Sequence, residues 1–168
     1  MNVLVAPQGF KGTLSGKEAA NCIAEGVLRA KPDAKVTLLP IADGGHGTLD
    51  ALLNACGGER RTTQVVGPVG NPVLADWGML SSGTAVVEMA QASGLTLTSE
   101  DERDPMNSTT YGTGQLLTSA LDAGCSRIIV GLGGSATSDG GSGAAEALGI
   151  KLHNAQGNLI PRGAVGLL

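Results

Sequence analysis

The sequence predicts an α/β protein, and three observations carry that reading. Short apolar runs alternate with a stretch at helical spacing near the N-terminus, glycine-rich loops follow the apolar runs, and the strand–loop–helix order returns after residue 127. The 168 residues are enough for one ordinary domain or two small ones.

Val3–Ala6 is a short apolar run ended by Pro7, the pattern of a buried strand. Ser15 and Glu18 have the spacing of a capping box. The helix they open carries Ala19, Ile23 and Val27 on one face and stops before Pro32. Val36–Leu39 is the next strand, which completes a β-α-β unit and so predicts parallel pairing. A helix with Leu49, Leu52, Leu53 and Cys56 follows and ends at Gly57-Gly58. The pattern then changes: Arg61–Val66, Val73–Met79 and Ala85–Met89 read as three strands of an antiparallel meander, with Trp77 and Met79 on its core face. Glu100–Asp104 is a charged loop. Thr109–Gly124 is a helix with Leu116, Leu117, Ala120 and Leu121 inward. Arg127–Leu132 is a buried strand, a short helix reaches Leu148, and Ile150–Leu152 is a last strand.

Composition narrows the function. Apolar residues make up 42% of the chain, so a core can form, yet there is one Phe, one Trp and one Tyr. The 11 Lys and Arg are scattered and the net charge is −4, so there is neither a basic stripe nor a stacking platform for nucleic acid. No stretch approaches the roughly 20 apolar residues of a membrane span. MNVLVAP has no positive n-region and too short an apolar run for a signal peptide. Cys22, Cys56 and Cys125 form no metal-type pair and read as reduced core residues. The expectation is a cytoplasmic protein with neither nucleic acid nor membrane as partner.

Three loops follow strands and precede helices: Gln8–Thr13, Ala42–Thr48 and Gly131–Gly143. The last holds six of the chain's 27 glycines. Backbone amides in that setting bind anions, phosphate above all. Three such loops, two carrying an Asp, point to a phosphorylated ligand with a metal. Lys11 is either an ammonium for a phosphate or a solvated loop lysine. Asp43 and Asp139 each adjoin a glycine pair; they either serve magnesium or a hydroxyl proton, or cap a helix. Ser135 and Thr137 either donate to phosphate oxygens or satisfy the turn. His46 lies in a site loop as a candidate ligand, whereas His153 reads as a surface residue. Arg103-Asp104 is a local ion pair or an anchor for an acid.

Two nucleotide motifs nearly fit. Gly12–Glu18 is one residue short of a P-loop and has Glu18 where magnesium needs Ser or Thr, so that reading fails. Gly131-Leu-Gly133-Gly-Ser-Ala136 matches G-x-G-x-x-A, but positions 149–156 hold no acidic residue for a ribose.

Several strings resemble one family together, type I glycerate kinase. Ala6-Pro7-x-x-Phe10-Lys11-Gly12-Thr13-Leu14-Ser15 resembles its A-P-D-S-F-K-G-S-L-S, and Ala42–Thr48 its A-D-G-G-E-G-T. Glu88–Leu95 resembles E-M-A-x-A-S-G-L. Arg103-Asp104-Pro105 and Thr109–Gly114 resemble R-D-P and T-T-x-G-T-G, and Gly133–Gly141 resembles G-G-S-A-T-N-D-G-G. The resemblance implies an enzyme that uses ATP and Mg²⁺ to phosphorylate glycerate. It implies Lys11 on a phosphate, Asp43 on metal or proton, and an anion cradle of Gly44, Gly45, Gly133, Gly134, Ser135, Thr137, Gly140 and Gly141, with Asp139 on the metal. It also implies two α/β domains, one flavodoxin-like and one mixed, both incomplete here, with residues 1–64 in the first and 65–168 in the second. Family members are roughly twice as long, so the missing C-terminal half is an expected partner of this one. The chain departs from the pattern at Gln8-Gly9, His46, Gln115 and Ser138, and three of these changes remove a carboxylate. The remaining readings are a truncated non-catalytic remnant of the same family and a dinucleotide-binding oxidoreductase.

Overall fold

The structure, a computed structural model, describes residues 1–10 and 13–168. Strand β1 (Asn2–Val5) pairs in parallel with β2 (Lys35–Leu38), and helix α1 (Gly16–Ala30) joins them as the β-α-β pattern requires. Ser15 caps α1 through the amide of Glu18, and the Glu18 carboxylate accepts from the Ser15 amide (2.9 Å), so the capping box forms as expected. Val5, Ala19 and Ala20 are buried, but Ile23 is exposed, because a two-stranded sheet is too narrow to cover the whole apolar stripe of the helix.

Helix α2 (Thr48–Cys56) leads to the larger sheet, in which β3 (Gly58–Val66), β4 (Pro72–Leu80), β5 (Thr84–Glu88) and β6 (Arg127–Gly131) are neighbours in that order. The first two pairings are antiparallel, which is the expected meander, and β5–β6 is parallel. Residues 64 and 65 both lie inside β3, which pairs with β4 from Gly58 onward, so the change from the small sheet to the large one is made before β3.

One face of the large sheet packs Val65, Ala75, Trp77, Ala85 and Val87 against Ala92 of α3 (Ala90–Ser93) and Leu116 and Ala120 of α4 (Tyr111–Asp122). The other face packs Leu80 and Val86 against Leu49, Leu52 and Leu53 of α2. Each fully buried Leu or Val contributes roughly 1.5–3 kcal/mol. Every residue of β5 is buried, as a strand between two covered faces should be.

Four expectations need correcting. β6 has half-exposed Ile129 and Val130, because it is an edge strand with a neighbour on one side only. Residues 150–152 form no strand; His153 makes a lone bridge to Leu159, and an apolar run without a partner stays irregular. Leu121 is exposed on the outer side of α4. Of the cysteines only Cys125 is buried, while Cys22 and Cys56 are exposed. Among the described residues, no helix is long and apolar enough to cross a membrane.

Candidate functional site

β5 and β6 run parallel and end side by side, with Glu88 opposite Gly131. Open α/β sheets hold ligands at such carboxyl ends, where departing loops leave a crevice. The segments leaving the two strands hydrogen-bond to each other: the Leu95 amide donates to the Gly134 carbonyl (2.9 Å) and the Ala136 amide to the Ser93 carbonyl (2.9 Å). The 42–48 loop, which leaves the end of β2, lies against them. The Gly133 amide donates to the Gly44 carbonyl (2.9 Å). A methyl group on Gly133 would stand 2.7 Å from the Gly45 Cα, and one on Gly131 would stand 2.5 Å from the Gly44 carbonyl oxygen. Only glycine admits this approach, so the two loops meet backbone on backbone.

Three of the quoted strings are thereby brought together, the 42–48 loop, the 88–95 segment and the 131–137 loop. The 8–13 loop is tied to the second at its base, where the Ile41 amide donates to the Pro7 carbonyl (3.0 Å). Lys11 lies outside the described residues. Gln8 is exposed.

Asp43 is exposed, and one carboxylate oxygen accepts a long bond from the Gly45 amide (3.4 Å). Among the described residues no other donor reaches it. The amides of Gly134 and Ser135 likewise make no hydrogen bond among the described residues, which leaves them able to donate to an anion. Ser135 and Thr137 hold each other: their hydroxyls are 2.9 Å apart and the Thr137 amide donates to Ser135 Oγ (3.0 Å).

Asp139 is different. It is buried, and its carboxylate accepts from the Thr110 amide (2.8 Å), the Thr110 hydroxyl (2.9 Å) and the amides of Gly141 (3.0 Å) and Gly143 (3.2 Å). It joins the start of α4 to the start of α5 (Ser142–Ala147). These donors, with the Thr109 hydroxyl at 3.4 Å, give Asp139 a structural task in the described residues, whatever part it plays toward a metal. The Gly141 amide is engaged for the same reason, and Gly140 lies exposed beside it.

Gln115 also leaves the site. Its Oε1 accepts from the Val66 amide (2.8 Å), a task that a Glu or a Gln performs equally, so this departure from the family string removes no site carboxylate. Arg103 is held loosely by Glu100 at 3.8 Å, and His153 is exposed. Two clefts lie elsewhere, one bounded by Ile150, Leu159 and Arg162 and one by Asn71, Asp101 and Asp104, and neither includes a residue of the 42–48 or 131–137 loops.

Residue-by-residue reading missed Glu88. It is almost fully buried at the end of β5, where its Oε1 accepts from the Leu49 amide at the start of α2 (2.7 Å). Oε2 accepts from Gln91 Nε2 (3.2 Å) and lies 3.9 Å from His46 Nδ1. The available signal was an acid closing an otherwise apolar strand, T-A-V-V-E.

A parallel and a mixed sheet whose glycine-lined loops meet at parallel strand ends define the class: an α/β protein. Residues 3–168 match the model of the glycerate kinase family, and the chain belongs to that family. It is 46% identical over 168 residues to the glycerate 2-kinase of Escherichia coli (strain K12), covering 99% of this chain and 44% of that protein. It is 48% identical to the glycerate kinase of Bacillus subtilis (strain 168), with the same coverage. A crystal structure described as a candidate glycerate kinase 2 from Salmonella typhimurium LT2 superposes with a TM-score of 0.80 at 45% identity, over 99% of this chain and 45% of that one. The chain thus spans less than half the length of the relatives it matches.

Proposed function

We propose that the chain is the N-terminal part of a cytoplasmic kinase that transfers the γ-phosphoryl group of ATP to a hydroxyl of D-glycerate, giving phosphoglycerate. The observation that carries this reading is the backbone junction of the 42–48 and 131–137 loops, at which Asp43, Gly134 and Ser135 are exposed and the amides of the last two have no partner among the described residues. Free amides beside a carboxylate suit phosphate oxygens and a hard cation.

The donor set fits Mg²⁺ in one respect. Mg²⁺ is commonly held by one or two carboxylates together with substrate phosphates and waters, and Asp43 supplies one such carboxylate. When bound, the ion neutralises charge on the β- and γ-oxygens. Gly44, Gly45 and Gly133 let the two loops close on each other, Gly134 and Ser135 donate amides to the phosphates, and Lys11 adds a point charge. Asp139 holds α4 and α5 in place behind them. The division into a flavodoxin-like and a second α/β domain, each completed by a C-terminal half, belongs to the same reading, with the seam ahead of Gly58.

The test is a coupled assay for ADP release with D-glycerate and MgATP, on this chain and on the protein joined to a C-terminal half. Glycerate-dependent turnover supports the kinase, and none in either form defeats it. Gln8 favours a second reading, a non-catalytic remnant, since an amide stands exposed where the family string has Asp. That reading predicts no turnover from this chain, and turnover only when Gln8→Asp, with the other lost acids, is combined with the C-terminal half.

A further inference from the structure

His46 stands in the 42–48 loop just ahead of α2, with its side chain half exposed. Its ring edge faces Gly134: Cδ2 is 4.0 Å from where a Gly134 Cβ would lie. Nδ1 faces the buried Glu88 carboxylate at 3.9 Å, and Nε2 lies 3.3 Å from the hydroxyl of the exposed Thr96. The two hydrogen-bonding neighbours of Glu88, the Leu49 amide and the Gln91 side-chain nitrogen, can only donate. They hold the carboxylate as an acceptor, at a helix N-terminus that favours negative charge. At 3.9 Å the carboxylate is beyond hydrogen-bond reach of Nδ1, but its negative charge favours the tautomer with the proton on Nδ1 and the lone pair on Nε2, to which the Thr96 hydroxyl can donate. Thr96, the residue beside that nitrogen, is exposed.

We propose that His46 is the proton acceptor for the alcohol being phosphorylated and that Glu88 is the positioning residue that fixes its tautomer. The inference rests on the kinase reading above. The acceptor O–H bond breaks with its proton going to His46 Nε2. The O–P bond forms at the γ-phosphorus, and the P–O bond to the β-phosphate breaks with its electron pair leaving on the nucleoside diphosphate. The imidazolium so formed faces the Glu88 carboxylate. His46 occupies the position of a Glu in the family string, and imidazole and carboxylate are both proton acceptors, so the departure changes the group and keeps the capacity.

Two experiments test this, and they fail separately. The sequence has only two histidines, so a long-range ¹⁵N–¹H spectrum of the protein resolves His46 against His153 as an internal control. His46 is expected in the Nδ1–H form, shifting toward Nε2–H in Glu88→Gln while His153 stays unchanged. A wild-type His46 with the same tautomer mixture as His153 overturns the role of Glu88, whether or not the variant folds. In the ADP-release assay, His46→Gln should lower kcat by about a hundredfold or more with little change in the KM for MgATP, and His46→Glu should recover most of that loss. Undiminished turnover in His46→Gln overturns the proton-acceptor role and leaves the kinase reading standing. No turnover in the wild-type protein overturns both.

Discussion

Asp43 and Asp139 each stand beside a glycine pair in the sequence, and nothing local separates them. What separates them is whether a distant segment donates to the carboxylate. Thr109 and Thr110 come to Asp139 from 30 and 29 residues away, and no such partner reaches Asp43 among the described residues. Each variant therefore has its own signature. Asp139→Ala strands the Thr110 and Gly143 amides; buried donors without partners cost about 1–3 kcal/mol each, so urea unfolding should show a loss of about 2–6 kcal/mol. Asp43→Asn should stay within about 0.5 kcal/mol of wild type, as surface changes do. Its glycerate-dependent turnover should nevertheless fall by about a hundredfold or more, since fixed charge at the phosphates is what phosphoryl transfer relies on. Equal stability losses in the two variants would show that their environments had been assigned wrongly. The two alternatives for these acids stayed open in the sequence because burial, unlike spacing, is a property of the whole fold.

Elements whose cause is local were legible and those whose cause is tertiary were not. The α1 capping box needs only Ser15 and Glu18, and it forms. The β6 run reads as buried because Ile128, Ile129 and Val130 are apolar, but burial of an edge strand depends on its neighbours, and here one side is open. The loops were recognisable as glycine-rich, yet their contact was not, since glycine alone does not say what approaches it. Gly133→Ala should push the 42–48 loop away and abolish turnover while the Trp77 fluorescence of the main core stays native. The C-terminal segment offers an element of another kind. Arg162 stacks on Tyr111 (3.6 Å) and bonds the Glu146 carboxylate at 2.8 and 2.9 Å, tying residues 160–162 to α4 and α5. The hydrogen bond from Arg162 holds the Glu146 carboxyl below its ordinary range. The stabilisation is thus fully present above the ordinary glutamate value of about 4.3 and is lost as the pH falls through the lower folded value. Fluorescence of Tyr111, the chain's one tyrosine, should change in that acid window, and the change should be absent in Glu146→Gln.

At the scale of the molecule the two sheets are unequal. The large sheet is covered on both faces near β5, whereas the small one has two strands and few buried side chains, with Leu4 and Leu38 exposed. Hydrogen exchange should therefore be slowest in β4 and β5 and much faster in β1 and β2, because local opening is least costly where little apolar surface is buried. Equal protection across both sheets would contradict this. The α/β class, the β-α-β unit and the meander could all be read from periodicity; the meeting of the small sheet's loop with the large sheet's strand ends could not, because it brings together residues almost ninety positions apart. That meeting point has a consequence for descent as well as for chemistry. Gly44 and Gly45 on one side and Gly131 and Gly133 on the other carry no functional group, yet a lineage cannot alter one side without first making room on the other. A saturation map of viable variants should score these positions as severely as reacting ones, and only paired replacements, tested for epistasis across the seam, would tell close fit from chemistry.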